Sequence, residues 1–589
     1  MPEQQPQKPT EKPQRPPAGP NIFGILKPYI TFIILLATLT IAANGLSLWI
    51  PKIISHAIDA YVHRTLQLSD LGWELGWFGV GIFIFTYLQN IVQTFVSEKV
   101  AMDLRNKLAG KISQQSHAFI QASNPSKLLT NLTSDIDSVK TFVAQAIASL
   151  ISSVFLIIGA SFLLLQTNWR LGLAVLVIVP IIMVVFYTTL RNVRALFFKS
   201  REIIDRLNRV INESILGAAL VRVLHSEKTE QFKFNDANAN SQAIGLKIIG
   251  IFSGMIPVIG FIANIATLII VALGGHYVIQ GSMSLGDFTA FNTYVGILIF
   301  PIILIGFMSN LIAQASASYG RIVQVLDAPE TPEIGTITTP LTGQLAVKDI
   351  NISYGEKAAL KDVSFEVSAG SKTAIIGPTA AGKTQLLYVL TGLLEPGTGT
   401  VLFDNHPLHD YDQISLHQQV GFVFQDSIVF NMSLRENIGF STTVSNQDLE
   451  KAIETAELAD FVASLPQGLD TIISERGSSL SGGQKQRLML ARALALNPKI
   501  LLLDDFTARV DTVTEGKILA NIRKNYPDLT LISVTQKVTA VEHYEQIILL
   551  MEGEVLAKGT HTELLKSSPE YVQIYTTQQS TSTYEVHAD

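Results

Sequence analysis

Six stretches free of Asp, Glu, Lys and Arg dominate the first 320 residues of this 589-residue chain: 28–51, 75–97, 141–169, 171–190, 248–286 and 288–320. Each reaches the roughly 20 residues that an α-helix needs to cross about 30 Å of hydrocarbon, where backbone N–H and C=O groups have no water to bond. They predict six spanning helices, and an even number returns both termini to one side of the membrane.

Composition narrows the classes further. Hydrophobic residues make up 48% and charged residues 16%, on the apolar side of soluble averages. A net charge of -6 argues against nucleic acid as a partner. Cysteine is absent, whether naturally or by engineering, which excludes disulfides, thiolate nucleophiles and Cys-ligated metals. Residues 1–20 hold seven prolines among Gln, Lys and Glu and are expected to be a disordered tail. The first apolar stretch is too long for a signal peptide and lacks the small-residue cleavage pattern, so no cleavable signal is expected.

Cationic residues set the orientation. Lys99, Arg105, Lys107, Lys111 and Lys127 lie between the second and third stretches, and nine more lie between Arg191 and Lys233. The opposite connections hold only Lys52, Arg64 and Arg170, so the termini and the long loops are placed in the cytoplasm. Val100, Leu104, Leu108 and Ile112 recur at helical spacing in one basic loop, as do Ile203, Leu207, Ile211 and Ile215 in the other. The helices are therefore expected to continue far into the cytoplasm. Breaks at Ser123-Asn124-Pro125-Ser126 and Gly217-Ala218 read as hairpin tips that touch a cytoplasmic domain, or else as plain solvated turns.

From Leu345 onward short Val/Ile-rich strands alternate with amphipathic helices, the texture of an α/β domain, after a linker over 327–344 rich in Pro, Thr and Gly. Between the predicted strand Lys372–Ile376 and a predicted helix over 385–394 runs Gly377-Pro378-Thr379-Ala380-Ala381-Gly382-Lys383-Thr384. It fits G-x-x-x-x-G-K-[ST], and the expected phosphate-binding set extends to Gln385. In that setting backbone N–H groups close around phosphates, Lys383 reaches the β and γ oxygens, and the Thr384 hydroxyl ligates Mg²⁺. The domain is expected to bind a nucleoside triphosphate.

This motif, Gln425, Leu480-Ser481-Gly482-Gly483-Gln484 and Asp504 occur in the order and spacing that resemble an ABC transporter ATPase domain. With six spans ahead of it, the chain resembles a half-transporter of the ABC exporter family over about residues 21–578. The resemblance implies a multidomain membrane protein: an all-α six-helix transmembrane domain at 21–326 with long cytoplasmic helix extensions, then the linker. An α/β P-loop (RecA-like) ABC ATPase domain follows at 345–578, and a tail at 579–589. It implies ATP and Mg²⁺ as cofactors and a multi-pass place in the cell (inner or plasma) membrane.

The resemblance also assigns roles. Tyr354 stacks on adenine, or is one more strand aromatic. Gln425 contacts Mg²⁺ and the attacking water, and residues 432–438 receive the membrane hairpins. Glu475 senses a partner's hairpin, or is merely solvated. Asp504, ending Ile500-Leu501-Leu502-Leu503-Asp504, holds Mg²⁺ through water.

Two positions depart from the family pattern. Where the family has the Glu that polarises the attacking water this chain has Asp505, one methylene shorter, and loss of such a base forfeits ~10²–10⁴ in rate. Gln536 stands where the family has a His that contacts the γ-phosphate; glutamine donates a hydrogen bond but carries no proton. ATPase domains of the family pair head to tail, each site joining one chain's Walker motifs to the other's signature, so a homodimer would own two impaired sites. The expected partner is a second half-transporter carrying the consensus Glu and His. Ser481, Gly482, Gly483 and Gln484 would complete its catalytic site at a helix N-terminus. The site built on Lys383 and Asp504 would hold ATP occluded or turn it over slowly. A slow homodimeric exporter stays open, as does an ATP-gated channel or regulator, although no long regulatory insertion lies between Val323 and Leu345.

Asn44, Asn90, Gln93, Gln145, Asn264, Asn292 and Asn310 lie within the apolar stretches, either lining a cavity or bonding helix to helix. Few ionisable residues lie at mid-membrane depth, which suits amphipathic or hydrophobic small molecules such as drugs or lipids, with membrane lipid as neighbour. Siderophore or peptide transport stays open. No peptidase domain precedes the first stretch, which counts against a leader-cleaving peptide exporter.

Overall fold

The computed structural model describes residues 22–329, 335–355, 357–440, 444–474, 477 and 479–586, with side chains through 579. Two compact units form. One holds the residues up to Gln114 together with Ser123–Pro329, and the other holds Gln115–Ala122 together with the chain beyond Pro329.

The first unit is helical. Its six long apolar helices are Ile22–Val62, Leu68–Ser113, Pro125–Thr167, Trp169–Leu216, Glu227–Ile279 and Leu285–Leu326. At ~1.5 Å per residue even the shortest is about 60 Å long, twice the hydrocarbon thickness, so each projects well beyond the membrane. The second span buries none of its most apolar window and exposes Trp73, Trp77 and Phe83, a surface that acyl chains solvate and water would not. The third to sixth spans enclose a core of Leu164, Leu171, Phe186, Phe291 and Leu298. Tyr294, fully enclosed there, donates its hydroxyl to the Leu48 carbonyl at 3.1 Å, so its polar tip is satisfied inside an apolar core.

Helix ends differ from the hydropathy reading where small residues build a turn. The uncharged stretch 248–286 contains one: the fifth span stops at Ile279, Gly281 takes φ +69°, and Ser284 caps the sixth span by accepting the Asp287 N–H. Gly, Ser and Met carry no charge, so an average over apolar content runs straight through. Of the polar residues inside the spans, Gln93 donates to the Ala144 carbonyl of the third span and Asn44 to the Thr40 carbonyl of its own helix, 2.8 Å. Gln93 thus bonds helix to helix, while Asn44 bonds within its own helix.

The second unit is α/β. A six-stranded sheet runs β10-β9-β3-β8-β7-β6, with β3 (Lys372–Ile376), β6 (Val420–Val423), β7 (Ile500–Asp504), β8 (Thr530–Thr535) and β9 (Gln546–Met551) parallel, and β10 (Glu554–Gly559) antiparallel at the edge. A four-stranded antiparallel sheet orders β2-β1-β4-β5, with β1 at Leu345–Tyr354, β2 at Lys357–Val367, β4 at Thr398–Phe403 and β5 at His406–Pro407. The parallel strands are buried on both faces: every residue of Ile500–Asp504 and Thr530–Thr535 is buried, although the second carries Thr530, Ser533 and Thr535 among its apolar residues. One face packs Leu488, Leu503, Phe506, Val538 and Tyr571. The other packs Leu345, Phe365, Leu386 and Ile532.

The two hairpins end differently. Around the first, His117–Ser123 forms a short helix, and the His117 ring meets Tyr388 edge-on at 5.3 Å within the second unit. At the second, the long helix ends on the exposed Leu216 before Gly217, and the short helix Ala218–Val223 presents Leu220 and Val223 to the surface.

Candidate functional site

Register explains why four distant segments share one edge. Ile376 pairs Thr535, Val534 pairs Asp504, and Leu503 pairs Val423, so β3, β8, β7 and β6 end level at their carboxyl ends. The segments leaving those ends are the phosphate-loop candidate, Gln536, Asp505 and Gln425. Open parallel sheets bind ligands at this edge.

The loop after β3 adopts a conformation that its glycines permit. Gly377 has φ +155°, and a Cβ there would lie 2.0 Å from the Leu550 carbonyl oxygen. Gly382 has φ +96°, and a Cβ would meet the Ala359 carbonyl oxygen at 2.6 Å. Ala380 also takes a positive φ, +65°, where an L side chain is strained. Pro378, Thr379 and Ala381 complete the turn, and the helix Lys383–Leu390 starts two residues earlier and stops four earlier than periodicity suggests, because Lys383, Thr384 and Gln385 form its first turn. Lys383 is buried, its Nζ donating to the carbonyls of Gly377 and Pro378 at 2.8 Å each. Burial pulls its ammonium below the usual lysine range, against the opposing pull of Asp505 and Asp504.

Asp504 is 2% exposed at the end of β7. Burial pushes its carboxyl up from the ordinary aspartate value, opposed by a hydrogen bond from Thr384. Its Oδ2 is buried without a hydrogen-bond partner. Asp505, the next residue, sits in the left-handed region at φ 47°, ψ 38°, its N–H donating to the Val534 carbonyl at 3.0 Å. Asp is among the few non-glycine residues that tolerate this conformation. Gln536 is exposed in the loop after β8, and Gln425 is exposed after β6, its carbonyl accepting from Gln486 at 3.3 Å. Tyr354 ends β1 with 57% of its surface open, as a ring that stacks on a ligand must be.

Ser481 caps the helix Gly482–Leu494 with a capping box: its hydroxyl accepts the Gln484 N–H, and its own N–H donates to Gln484 Oε1 at 2.8 Å. Ser481 and Gly482 face solvent, and a Cβ on Gly483 would come within 3.0 Å of the Arg509 carbonyl. Sequence reading missed Arg492 on the same helix. It donates to the carbonyls of Asn437 and Ile428, 2.6 and 3.0 Å, and burial lowers it to about 10. It ties the signature helix to the segment 432–438, where Asn437 is wholly buried. No motif marks a lone Arg, so only folding reveals it. Glu475 lies outside the described residues.

Residues 30–302 match the ABC transporter transmembrane region family and residues 360–508 match the ABC transporter family. Over 535 residues the chain is 31% identical to an uncharacterized ABC transporter ATP-binding protein, YknU, of Bacillus subtilis (strain 168), covering 89% of this chain and 91% of that one. The chain is an ABC exporter half-transporter. This exporter is also 28% identical over 496 residues to an ATP-dependent lipid A-core flippase of Syntrophus aciditrophicus (strain SB), covering 83% and 82% of the two chains. Its fold matches the structure of a bacterial Atm1-family ABC exporter with ATP bound, TM-score 0.75 and 24% identity, covering 94% of this chain and 99% of that one. The exporter is a multi-pass inner-membrane protein with a cytoplasmic ATPase domain, and it drives transport with ATP.

Proposed function

We propose that this half-transporter is the subunit of a heterodimeric exporter whose own nucleotide site binds ATP but hydrolyses it poorly. The observation that carries the reading is the coexistence of Asp505 and Gln536 at one strand edge with an intact, solvent-facing Ser481-Gly482-Gly483-Gln484. The weakened elements belong to this chain's own site, and the sound one is offered outward to a partner.

ATP would lie along the loop 377–385, its phosphates facing the N-terminal turn of the helix Lys383–Leu390. Lys383, now bonded to loop carbonyls, would exchange those bonds for phosphate oxygens, and its burial strengthens that charge-assisted bond. Mg²⁺ fits the donor set: Thr384, Asp504 and Gln425 offer oxygen ligands, and the partnerless Asp504 Oδ2 is a buried acceptor awaiting a cation or its water. When bound, the ion would neutralise phosphate charge. Tyr354 would hold the adenine by stacking. Asp505, a methylene short, and Gln536, without a titrating proton, would leave the attacking water poorly polarised. The signature of Ser481 through Gln484 would aim N–H groups and a hydroxyl at the γ-phosphate on the partner's site.

The domain assignment proposed with this reading is 21–326 for transport, 327–344 for the linker and 345–578 for ATP, with tails at 1–20 and 579–589. The cargo class proposed is amphipathic or hydrophobic, supported by the relative named for lipid A-core and by the uncharged spans. A purified heterodimer tests the reading. Substituting the partner's Walker B Glu should abolish ATPase turnover, whereas Asp505→Asn should leave most of it. Equal losses would overturn the assignment. ATP-dependent uptake of cargo into inside-out vesicles separates a pump from a gated channel.

A further inference from the structure

The loop that begins at Gln536, called the switch loop because the γ-phosphate-contacting His of the family stands at that position, is gripped by a residue 42 positions later. Gln578 donates its Nε2 to the Gln536 carbonyl at 2.6 Å and accepts the Val538 N–H on its Oε1 at 2.9 Å. One side-chain amide thus uses donor and acceptor together on residues i and i+2 of the same loop, as a neighbouring strand would. Both groups on the loop are backbone, so the grip sets the loop's path whatever side chain stands at 536.

The helix Pro569–Val586 that carries Gln578 is itself anchored. Tyr571, Ile574, Tyr575 and Gln578 recur at i, i+3, i+4 and i+7, one stripe of the helix. Tyr571 is fully buried in the core that also holds Val538, Val541 and Tyr544, and its hydroxyl meets His561 Nδ1 at 2.6 Å. Ile574 and Tyr575, partly buried, pack against the same core. The helix therefore spans the whole connection between β8 and β9, and Gln578 lies where that connection leaves the nucleotide edge.

We infer that Gln578 is a positioning residue for the switch loop, holding the Gln536 backbone so that its side chain faces the γ-phosphate of ATP bound on this chain. The inference rests on reading Gln536 as the switch position. Val538 anchors the connection in the core, and two hydrogen bonds to the backbone at its exposed start weigh enough to change the occupancy of one Gln536 position by about tenfold. Gln578 is partly exposed, so its replacement leaves the core intact.

The experiment uses the full-length exporter with its partner in nanodiscs and compares wild type with Gln578→Ala, Gln578→Glu, Gln536→Ala and the control Gln573→Ala, which lies on the exposed face of the same helix. Two quantities are read: hydrogen exchange of the peptide containing Val538, and radiolabelled ATP retained by this chain after rapid desalting. Gln578→Ala should raise exchange at Val538 and lower retention, each by about tenfold, with an unchanged unfolding midpoint. Gln578→Glu keeps an acceptor for Val538 but sets a carboxylate against the Gln536 carbonyl; it should protect Val538 better than Ala does while retaining ATP no better. Loss of retention in Gln536→Ala without loss in Gln578→Ala overturns the grip and leaves the switch reading standing. No change in either overturns both.

Discussion

The Arg321 guanidinium closes on the Asp135 carboxylate across 186 residues, Nε donating to Oδ2 at 3.0 Å and Nη2 to Oδ1. Asp135 is only 3% exposed in its side chain, while Arg321 is half open to solvent. The pair joins the cytoplasmic half of the third span to the end of the sixth, beside the π-turn Asn131–Asp135. Arg321→Ala strands a buried carboxylate and should cost about 1–3 kcal/mol, reduced by the exposure of the lost partner. Thermal unfolding in nanodiscs measures it, and Asp135→Ala on top of Arg321→Ala should recover part of the loss.

At the far ends of the first and sixth spans, Asp59 accepts the Ser284 hydroxyl at 2.6 Å and the Gly286 N–H at 2.8 Å. The approach is so close that a Cβ on Gly286 would lie 2.0 Å from the Ser55 carbonyl oxygen. Gly286→Ala should destabilise the transmembrane unit by about 1–3 kcal/mol through overpacking, and Asp59→Ala by about 1 kcal/mol through the lost cap. The double variant should fall short of the sum, since the first change already separates the helices. Additive losses in unfolding midpoints would show that the two sites act independently.

In the phosphate loop, Gly382→Ala drives a methyl into the Ala359 carbonyl, and it should lower affinity for a fluorescent ATP analogue by at least about tenfold. Ala380→Gly does the reverse, relieving a strained φ of +65° worth ~1–2 kcal/mol while adding up to ~1 kcal/mol of unfolded-state entropy. Its ATP affinity should stay near wild type. Equal impairment by both would mean that loop shape does not govern binding.

Behind the strand ends a cavity of about 10 Å³, lined by Thr507, Glu515, Ser533, Thr535 and Tyr544, has the size of about one water. Burial pushes the Glu515 carboxyl above its ordinary 4.5, with Lys537 pulling the other way. A raised folded-state value means that Glu515 contributes stability fully below the ordinary value and loses it as pH rises through the raised one. Glu515→Gln cannot ionise, so its advantage in unfolding midpoint over wild type should grow from pH 4.5 to pH 7.5. A constant difference across that range would contradict it.

Motifs whose chemistry is local in the chain were readable from it. A phosphate loop needs its glycines, lysine and hydroxyl within eight consecutive residues, and Gly377 to Thr384 supply them in order. The strand Lys372–Ile376 appears with the bounds its apolar run suggests. The turn within 248–286 was not legible, because Gly281 and Ser284 end a helix by conformation and capping, which hydropathy does not register. Nor were Arg492 or Gln578, whose partners lie 55 and 42 residues away on other elements.

By itself the sequence determined the membrane spans and their orientation, the phosphate loop, and the placing of Asp at 505 and Gln at 536. Each is a property of one residue or one continuous segment, summed along the chain. Tertiary structure alone decided which side chains meet: Arg321 with Asp135, Asp59 with Gly286, Gln578 with the switch loop. Those contacts depend on the register in which finished helices and strands pack, and a shift of one residue on either element would exchange every partner.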